Sequence, residues 1–189
     1  MNPAIDISKV TLKTSRLTLR PWTMDDLQDF YDYAKVDGVG QMDGWTPHKS
    51  IEESERILTD FVEGKKTFAI VYNNHAIGSI GIEKYNEQLC PELSEMKVRE
   101  IGFVLSKDYW GNGFMPEAVK EVIRYCFEDL NLDALICGHF KRNLQSASVQ
   151  RKCGFHYLKN HIYHTRYNTD EDAITNILWK KEYEKHYSH

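Results

Sequence analysis

An apolar segment, a turn with two glycines and an amphipathic segment follow one another between Glu100 and Val119. The run Ile101–Leu105 predicts a buried strand, and Pro116 suits the start of a helix, where its missing N–H would have no intrahelical partner. Gly111 and Gly113 allow a tight turn whose backbone N–H groups face one way. Together with the unbonded N–H groups at the start of a helix, such a turn can bind a phosphate or pyrophosphate.

The glycine turn alone does not establish a phosphate site. A plain turn is the alternative, since glycine is common where a strand leads into a helix. A dinucleotide-binding fingerprint would need a third glycine where this chain has Pro116. A Walker loop would need Lys followed by Ser or Thr after the second glycine, and here Phe114 and Met115 follow. The sequence therefore argues against both of these nucleotide-binding motifs.

The overall composition is that of an ordinary globular protein. The 189 residues are enough for one domain with a substantial core, and 41% of them are hydrophobic and 28% charged. The net charge of −4 argues against direct nucleic-acid binding. No apolar run reaches the roughly 20 residues that span a bilayer, and the segment Met1–Asp6 lacks a signal-peptide pattern. We therefore expect a cytoplasmic protein without a membrane partner.

Neither the cysteines nor the histidines show the spacing of a metal site. No two cysteines form a Cys-x-x-Cys pair, which argues against both a zinc site and a disulfide framework. Three histidines in the last third of the chain fit neither one helix face nor a common zinc motif. The residues concerned are Cys90, Cys126, Cys137, Cys153, His156, His161 and His164. The sequence thus predicts no metal cofactor.

Hydrophobic periodicity divides the chain into strands and helices in the order β-α-α-β-β-β-α-β-α-β-β. Asn73 and Asn74 supply the turn of a hairpin, and Ser50 with Glu53 has the spacing of a helix capping box. This order predicts a single α/β domain with a mixed sheet. The predicted strands are 17–20, 67–72, 76–83, 101–105, 134–139, 155–163 and 175–179, and the predicted helices begin near Thr23, Ser50, Pro116 and Asn143.

Two further segments contain candidate site residues. Asn143 stands where a loop meets a helix, so its side chain either caps the helix or reaches a ligand, and Ser146 follows one turn later on the same side. Taken alone, the simple helix cap is the favoured interpretation. The loop 37–49 is unusually aromatic and contains Trp45 and His48. Aromatic residues in a loop often mark a binding surface, with a packing anchor as an equal alternative.

Taken together, the two strand–turn–helix units resemble those of the GNAT superfamily of acetyl-CoA-dependent N-acetyltransferases. The chain is most similar to the branch that contains the ribosomal-protein N-terminal alanine acetyltransferases. The segments that resemble this family are Arg16–Trp22, Glu100–Phe103, Tyr109–Ala118, Asn143-x-x-Ser146 and Lys152–Phe155. The resemblance covers about residues 10–183 and implies a GNAT-like single domain, with residues 1–9 and 184–189 as terminal extensions. It also implies a mixed central sheet flanked by about four helices, with two central strands splayed apart.

The resemblance implies that acetyl-CoA binds as cosubstrate between the splayed strands. Its pantetheine would lie as an extra strand along Phe103, Val104 and Leu105, and backbone N–H groups there would polarise the thioester carbonyl. Its pyrophosphate would bind at the glycine turn. The other residues implied in cofactor binding are Trp110, Gly111, Asn112, Gly113, Phe114, Met115 and Asn143.

The resemblance also implies the two catalytic residues. Glu100 would accept the amine proton, directly or through water, and Ser146 would donate a proton to the leaving thiolate. Many relatives carry a tyrosine as general acid where this chain has Gln150, which is why the acid role falls to Ser146. For Glu100, a salt bridge with Arg99 or another basic residue at the end of the strand is the structural alternative. A second departure, Asp108 before the glycine turn, also occurs in the alanine-acetyltransferase branch.

The acceptor is the least constrained part of the prediction. The branch implies a protein N-terminus, such as that of a ribosomal protein, whereas the same architecture also accepts polyamines, amino acids and antibiotics. Trp45 and His48 are the predicted substrate-binding residues. We expect a monomer or a homodimer. A non-catalytic acyl-CoA-binding sensor is a further alternative, against which the intact glycine turn and Glu100 argue.

Overall fold

Eight strands form one mixed sheet within residues 1–187, the part of the chain that the structure, a computed structural model, describes. Their order in the sheet is β1-β2-β3-β4-β5-β6-β8-β7, and β5 pairs with β6 in parallel while the other neighbours are antiparallel. The strands are β1 (Leu12–Lys13), β2 (Thr18–Pro21), β3 (Thr67–Tyr72), β4 (His75–Glu83), β5 (Val98–Leu105), β6 (Ala134–Phe140), β7 (His156–His164) and β8 (Asp170–Trp179). The predicted mixed sheet is therefore confirmed.

Five α-helices in the described range flank the sheet. They are α1 (Leu27–Ala34), α2 (Ile51–Gly64), α3 (Phe114–Arg124), α4 (Leu144–Lys152) and α5 (Lys180–Tyr187). A short 3₁₀ turn precedes α1, and a π-helical turn continues α3 to Asp129. The predicted cap of α2 is present, because the Ser50 hydroxyl accepts a hydrogen bond from the Glu53 N–H at 3.2 Å.

The sheet separates two hydrophobic clusters because successive side chains of a strand point to opposite faces. On one face, Ala69 and Ala76 pack with side chains of α1 and α2, such as Phe30 and Leu58. On the other face, Phe68 and its neighbours in the sheet pack against the apolar side of α3. Helices therefore cover both faces of the sheet, and the central strands are packed on each side.

The structure differs from the sequence prediction in where some elements begin and in the additional elements β1 and α5. Helix α3 begins at Phe114 rather than near Pro116, because Gly113 takes the N-cap position and the proline still lies in the first turn. Strand β8 begins at Asp170, since the polar residues before Thr175 also pair with β7. The additional helix α5 is largely polar, and its main anchor is Tyr183, whose ring lies 5.2 Å from that of Phe127.

The first residues of the chain pack onto the domain. The Ile7 side chain is fully buried in the cluster beneath α3, and its N–H donates to the Lys65 carbonyl at 2.9 Å. The Met1 amino group donates to the Tyr85 hydroxyl at 2.6 Å. The domain boundaries at residues 10 and 183 stay a prediction about the folding unit, and residues 188 and 189 of the predicted C-terminal extension lie outside the described range.

Replacing Ile7 with Ala tests the predicted N-terminal boundary. We expect a loss of about 2–5 kcal/mol in the free energy of unfolding, measured by urea denaturation, because a fully buried isoleucine leaves a cavity. The matched control is Ile162→Ala, which truncates a side chain that is 63% exposed and should change stability by less than about 0.5 kcal/mol. Equal, small effects of both substitutions would mean that residues 1–9 are an appendage to the folding unit.

Neither membrane-spanning nor metal-binding groups are found in the described part of the chain. None of the helices within residues 1–187 combines the length and apolarity needed to cross a membrane. Nowhere in the same range do three or more His, Cys, Asp or Glu side chains lie together as metal ligands would. The four cysteines are free thiols, and burial raises the pKa of the Cys137 thiol well above its usual value.

Candidate active site

β5 and β6 pair only over their first residues and then separate. The last pair joins Glu100 to Ile136, whereas β5 continues to Leu105 and β6 to Phe140. The predicted splay of the central strands is therefore confirmed. A cavity of about 1160 Å³ occupies this gap and extends to α1, α2 and the start of α3. A ligand inserted here would lie between two strands instead of on the sheet surface.

The backbone of β5 turns hydrogen-bonding groups toward this gap. The Cys137 thiol on β6 donates to the Ile101 carbonyl at 3.1 Å, so this carbonyl faces β6. Because the direction of the peptide groups alternates along a strand, the N–H and C=O groups of Phe103 and Leu105 face the same way. The Leu105 carbonyl accepts the Trp110 indole N–H at 2.9 Å, whereas Phe103 lies beyond the last residue paired with β6. Phe103 therefore offers both of its backbone groups to an extended ligand.

The glycine turn leads directly from β5 into α3. Gly111 and Gly113 have φ angles of 78° and 75°, in the left-handed region that favours glycine. No side chain caps the start of α3. The first N–H groups of this helix, from Phe114 onward, are therefore free to bind an anion, and the helix dipole favours negative charge there. We call residues 111–115 the anion-binding turn.

Arg16 lies beside the anion-binding turn. Its guanidinium donates to the Asn112 carbonyl at 3.0 Å and lies 4.3 Å from the centre of the Phe114 ring. It also forms an ion pair with Glu117 at 2.7 Å. A hydrogen bond from the Thr14 hydroxyl and the contacts with Arg16 lower the pKa of the Glu117 carboxyl against the effect of desolvation. The arginine thus holds the turn against the N-terminal segment, and Glu117 neutralises part of its charge.

The second strand–turn–helix unit places Asn143 and Ser146 at the opposite wall of the gap. Asn143 caps α4, since its Oδ1 accepts the Ser146 N–H at 3.0 Å. Its Nδ2 donates to the Met42 carbonyl at 3.3 Å, so both ends of the amide have protein partners. Ser146 lines the cavity, and its hydroxyl accepts a hydrogen bond from Gln150 at 3.1 Å.

Glu100 faces the cavity from the last paired residue of β5. Desolvation raises its pKa to about 7, and the charges of Glu83 and Asp43 act in the same direction. The alternative salt bridge with Arg99 is not formed: the Arg99 guanidinium donates to the Pro3 carbonyl at 3.1 Å. Adjacent residues of a strand point to opposite faces, which separates the two side chains. Its surroundings therefore make Glu100 a stronger base than an exposed glutamate.

Two other carboxyl groups line the same part of the cavity. Asp43 lines the cavity, where desolvation raises the pKa of its carboxyl to about 6. A hydrogen bond from Trp45 and the charge of Arg166 act in the opposite direction and lower this pKa. Glu83 is paired with Glu100 across β4 and β5 and forms an ion pair with Lys66. The sequence did not identify either residue as part of the site. Glu83 was recognisable only from the strand register, and Asp43 only from its position two residues before Trp45.

The aromatic loop closes the cavity on the side of α1 and α2. The Trp45 indole N–H donates to the Asp43 carboxylate at 3.3 Å, and its ring lies 5.2 Å from the His48 ring. His48 is buried, its Nδ1 lies 2.7 Å from the Ser54 hydroxyl, and burial lowers the pKa of its imidazole. Both predicted substrate-binding residues thus line the cavity, and His48 is held by packing and one hydrogen bond.

The structure brings nearly all predicted site residues to one cavity. Asn112 is the exception: its side chain turns back to the carbonyls of Tyr109 and Trp110, at 3.2 Å each. The predicted residues on the wall are Trp45, His48, Glu100, Phe103, Val104, Leu105, Trp110, Gly111, Gly113, Phe114, Met115, Asn143 and Ser146. The cavity therefore connects the anion-binding turn at one end with Glu100 and the carboxyl groups at the other.

Comparison with known proteins agrees with this geometry. A curated relative, an uncharacterized N-acetyltransferase p20 of Bacillus licheniformis, is 30% identical over 132 residues, or 66% of this chain and 70% of the relative. A ribosomal-protein-S5-alanine acetyltransferase of Vibrio fischeri has the same fold with a TM-score of 0.72 and 20% identity, covering 92% of this chain and 98% of that one. A spermidine N-acetyltransferase of Vibrio cholerae, solved with CoA and spermine, has a TM-score of 0.73 and 18% identity. The match covers 90% of this chain and 99% of that one.

The family assignment rests on most of the chain. The family model described as acetyltransferase (GNAT) domain matches residues 16–156. This range contains the splayed strands, the anion-binding turn, Glu100 and Ser146. The chain therefore belongs to the GNAT family of N-acetyltransferases.

Proposed function

We propose that this N-acetyltransferase transfers the acetyl group of acetyl-CoA directly to a primary amine while both substrates are bound. The observation that supports this most strongly is the continuous cavity from the anion-binding turn, past the free backbone groups of Phe103, to Glu100. Acetyl-CoA needs a phosphate site, an extended slot and an amine-side base, and the residues present fit each of these needs. Acetyl-CoA supplies the activated thioester, and the protein supplies position and proton transfer.

Glu100 is the proposed base. Attack forms a C–N bond and breaks the C–S bond, so the amine must lose a proton and the sulfur must gain one. With its pKa raised to about 7, Glu100 is ionised often enough near neutral pH to accept the amine proton and basic enough to hold it. The face of β5 that bears Glu100 is the one covered by α1, α2 and the aromatic loop, so the amine would enter from that side.

Ser146 is the proposed proton donor to the departing sulfur. Ser146 lines the cavity in the first turn of α4. The proton that Glu100 accepted then returns through water to the Ser146 oxygen, so both residues regain their starting state and no net proton is gained or lost. The Phe103 N–H would donate to the thioester carbonyl oxygen and stabilise the charge that develops there. These assignments use one group for each of the proton and charge changes of the reaction.

Replacing Ser146 with Ala should lower kcat by about 10- to 1000-fold, because the leaving sulfur loses its proton donor. The affinity for acetyl-CoA, measured by calorimetry, should stay near that of the wild type. The melting temperature should fall modestly, because the buried Gln150 amide loses one acceptor and keeps its hydrogen bonds to Gly138 and Asn176. Wild-type turnover in this variant would show that Ser146 is not the proton donor.

For the acceptor, we propose a protein N-terminus such as that of a ribosomal protein. The residues 109–118 and 143–155 that resemble the alanine-acetyltransferase branch support this choice. A small polycationic amine is the second candidate. The observation in its favour is that three carboxyl groups, Asp43, Glu83 and Glu100, line the amine end of the cavity, where they would attract a second positive charge.

Competing acceptors separate the two candidates. We would measure kcat/KM for peptides with a free N-terminal alanine and for diamines and polyamines, with N-terminally blocked peptides as the control. A clear preference for the free peptides is expected, and a preference for polyamines would select the second candidate instead. A cytoplasmic location and a monomeric or homodimeric state stay predictions, the latter testable by light scattering.

A further inference from the structure

Gln150 is buried behind Ser146, outside the cavity that holds the proposed reaction. It is 1% exposed and occupies the last part of α4, one helical turn after Ser146. A fully buried amide must find partners for both of its ends.

The partners of Gln150 fix the direction of its amide. The Gly138 carbonyl lies 3.0 Å away and can only accept, so the nitrogen of the amide must face it. The same nitrogen donates its second hydrogen to the Ser146 hydroxyl oxygen at 3.1 Å. The amide oxygen accepts the Asn176 side-chain N–H from β8 at 2.7 Å. A reversed amide would place two acceptors against each other at Gly138 and two donors against each other at Asn176.

This arrangement determines what the Ser146 hydroxyl can do. A serine hydroxyl has one hydrogen to donate and two lone pairs that accept. Since Gln150 donates to Ser146, the serine oxygen acts as acceptor on that side and keeps its own hydrogen for another partner. Among residues 1–187, no hydrogen bond donated by the Ser146 hydroxyl is found. Ser146 is one of the residues that line the cavity, whereas Gln150 is not.

We propose that Gln150, held by Asn176, is a positioning residue that directs the Ser146 O–H into the cavity, where it donates to the departing sulfur. The proposal rests on the proposed function of Ser146 and extends it by two residues that touch no substrate. Gln150 transfers no proton itself; it fixes the direction of the donor. We call Asn176, Gln150 and Ser146 the amide relay.

Gln150→Met tests the amide relay, because methionine has a similar length and no N–H group. We expect kcat to fall about tenfold, as for a misoriented catalytic group, with KM for acetyl-CoA unchanged. In a protein that already carries Ser146→Ala, adding Gln150→Met should change kcat little, since the oriented hydroxyl is gone. Arg151→Met, on the exposed side of the same helix, controls for the substitution.

The double-mutant cycle distinguishes orientation from packing. A purely structural role would lower kcat by the same factor with and without Ser146, and that result would overturn the relay. If Gln150→Met does not fold, Asn176→Asp replaces it, because a carboxylate cannot donate to Gln150 and releases the amide. Wild-type kcat in a folded Asn176→Asp protein would also overturn the relay. An active wild type in which Ser146→Ala has no effect would refute the proposed acid and the relay together, whereas an inactive wild type would refute the proposed function.

Discussion

The variant Glu100→Gln should lose about 100- to 10,000-fold in turnover near pH 7, the usual contribution of a positioned base. Glutamine has nearly the same shape but cannot accept the amine proton. Acetyl-CoA should bind to it normally, since Glu100 lies at the amine end of the cavity. The measurement is steady-state kinetics from pH 5.5 to 9.5, combined with calorimetry for acetyl-CoA.

We also predict the direction in which activity changes with pH. Because the base must be ionised, the activity of the wild type should rise with pH through the Glu100 pKa of about 7. An acceptor amine that loses its own proton would produce a similar rise, and only Glu100→Gln separates the two causes. The variant should recover part of its activity at high pH, where free amine is abundant. Full activity of the variant at pH 7 would mean that solvent deprotonates the amine.

Glu83→Gln is the matched control. Glu83 raises the Glu100 pKa through its charge, so removing this charge should shift the rising part of the profile to lower pH without abolishing turnover. Lys66, the ion-pair partner of Glu83, would then have no negative partner, and its positive charge would lower the Glu100 pKa as well. An unchanged profile would show that the carboxyl groups do not interact in the way the structure indicates.

The variant Gly113→Asp should abolish measurable acetyl-CoA binding, because it adds a negative charge and a side chain where the backbone must approach pyrophosphate. A Cβ atom at this position would meet only the tip of the Arg16 side chain, at 3.6 Å, so no steric collapse is expected. The fold should therefore persist, as checked by circular dichroism and thermal melting.

Gly113→Asn separates charge from backbone conformation. Asparagine has the shape of aspartate, tolerates the positive φ of 75° at this position better than most residues, and carries no charge. It should retain part of the affinity, so that the difference between the two variants measures the effect of the charge. Unchanged affinity in Gly113→Asp would exclude residues 111–115 as the pyrophosphate site.

Local chemistry made much of the fold predictable from the sequence. Asn73 and Asn74 have φ angles of 48° and 64° and join β3 to β4 as the hairpin signal predicted. The two residues of β1 are too few to form a pattern, and α5 has few apolar residues. Both depend on neighbours that are distant in the sequence, which periodicity cannot detect.

The candidate site was predictable where it follows the chain and not where it depends on strand pairing. The anion-binding turn and the cap at Asn143 are contiguous motifs, so the sequence contained them whole. The carboxyl groups around Glu100 come from separate elements, and their proximity depends on the register of β4 against β5 and on the path of the aromatic loop. The amide relay likewise joins α4 to β8. Such contacts follow from the three-dimensional packing alone.

One measurement tests the central claim most directly. The protein is incubated with acetyl-CoA and a panel of primary amines, including peptides with free N-termini, while free thiol is recorded and the acceptors are examined by mass spectrometry. We predict thiol release that requires both substrates and equals the amount of acetylated amine formed. Suppose instead that acetyl-CoA binds tightly and that none of the amines in the panel causes CoA thiol to be released from it. This result would contradict acetyl transfer in this cavity and indicate an acyl-CoA-binding module.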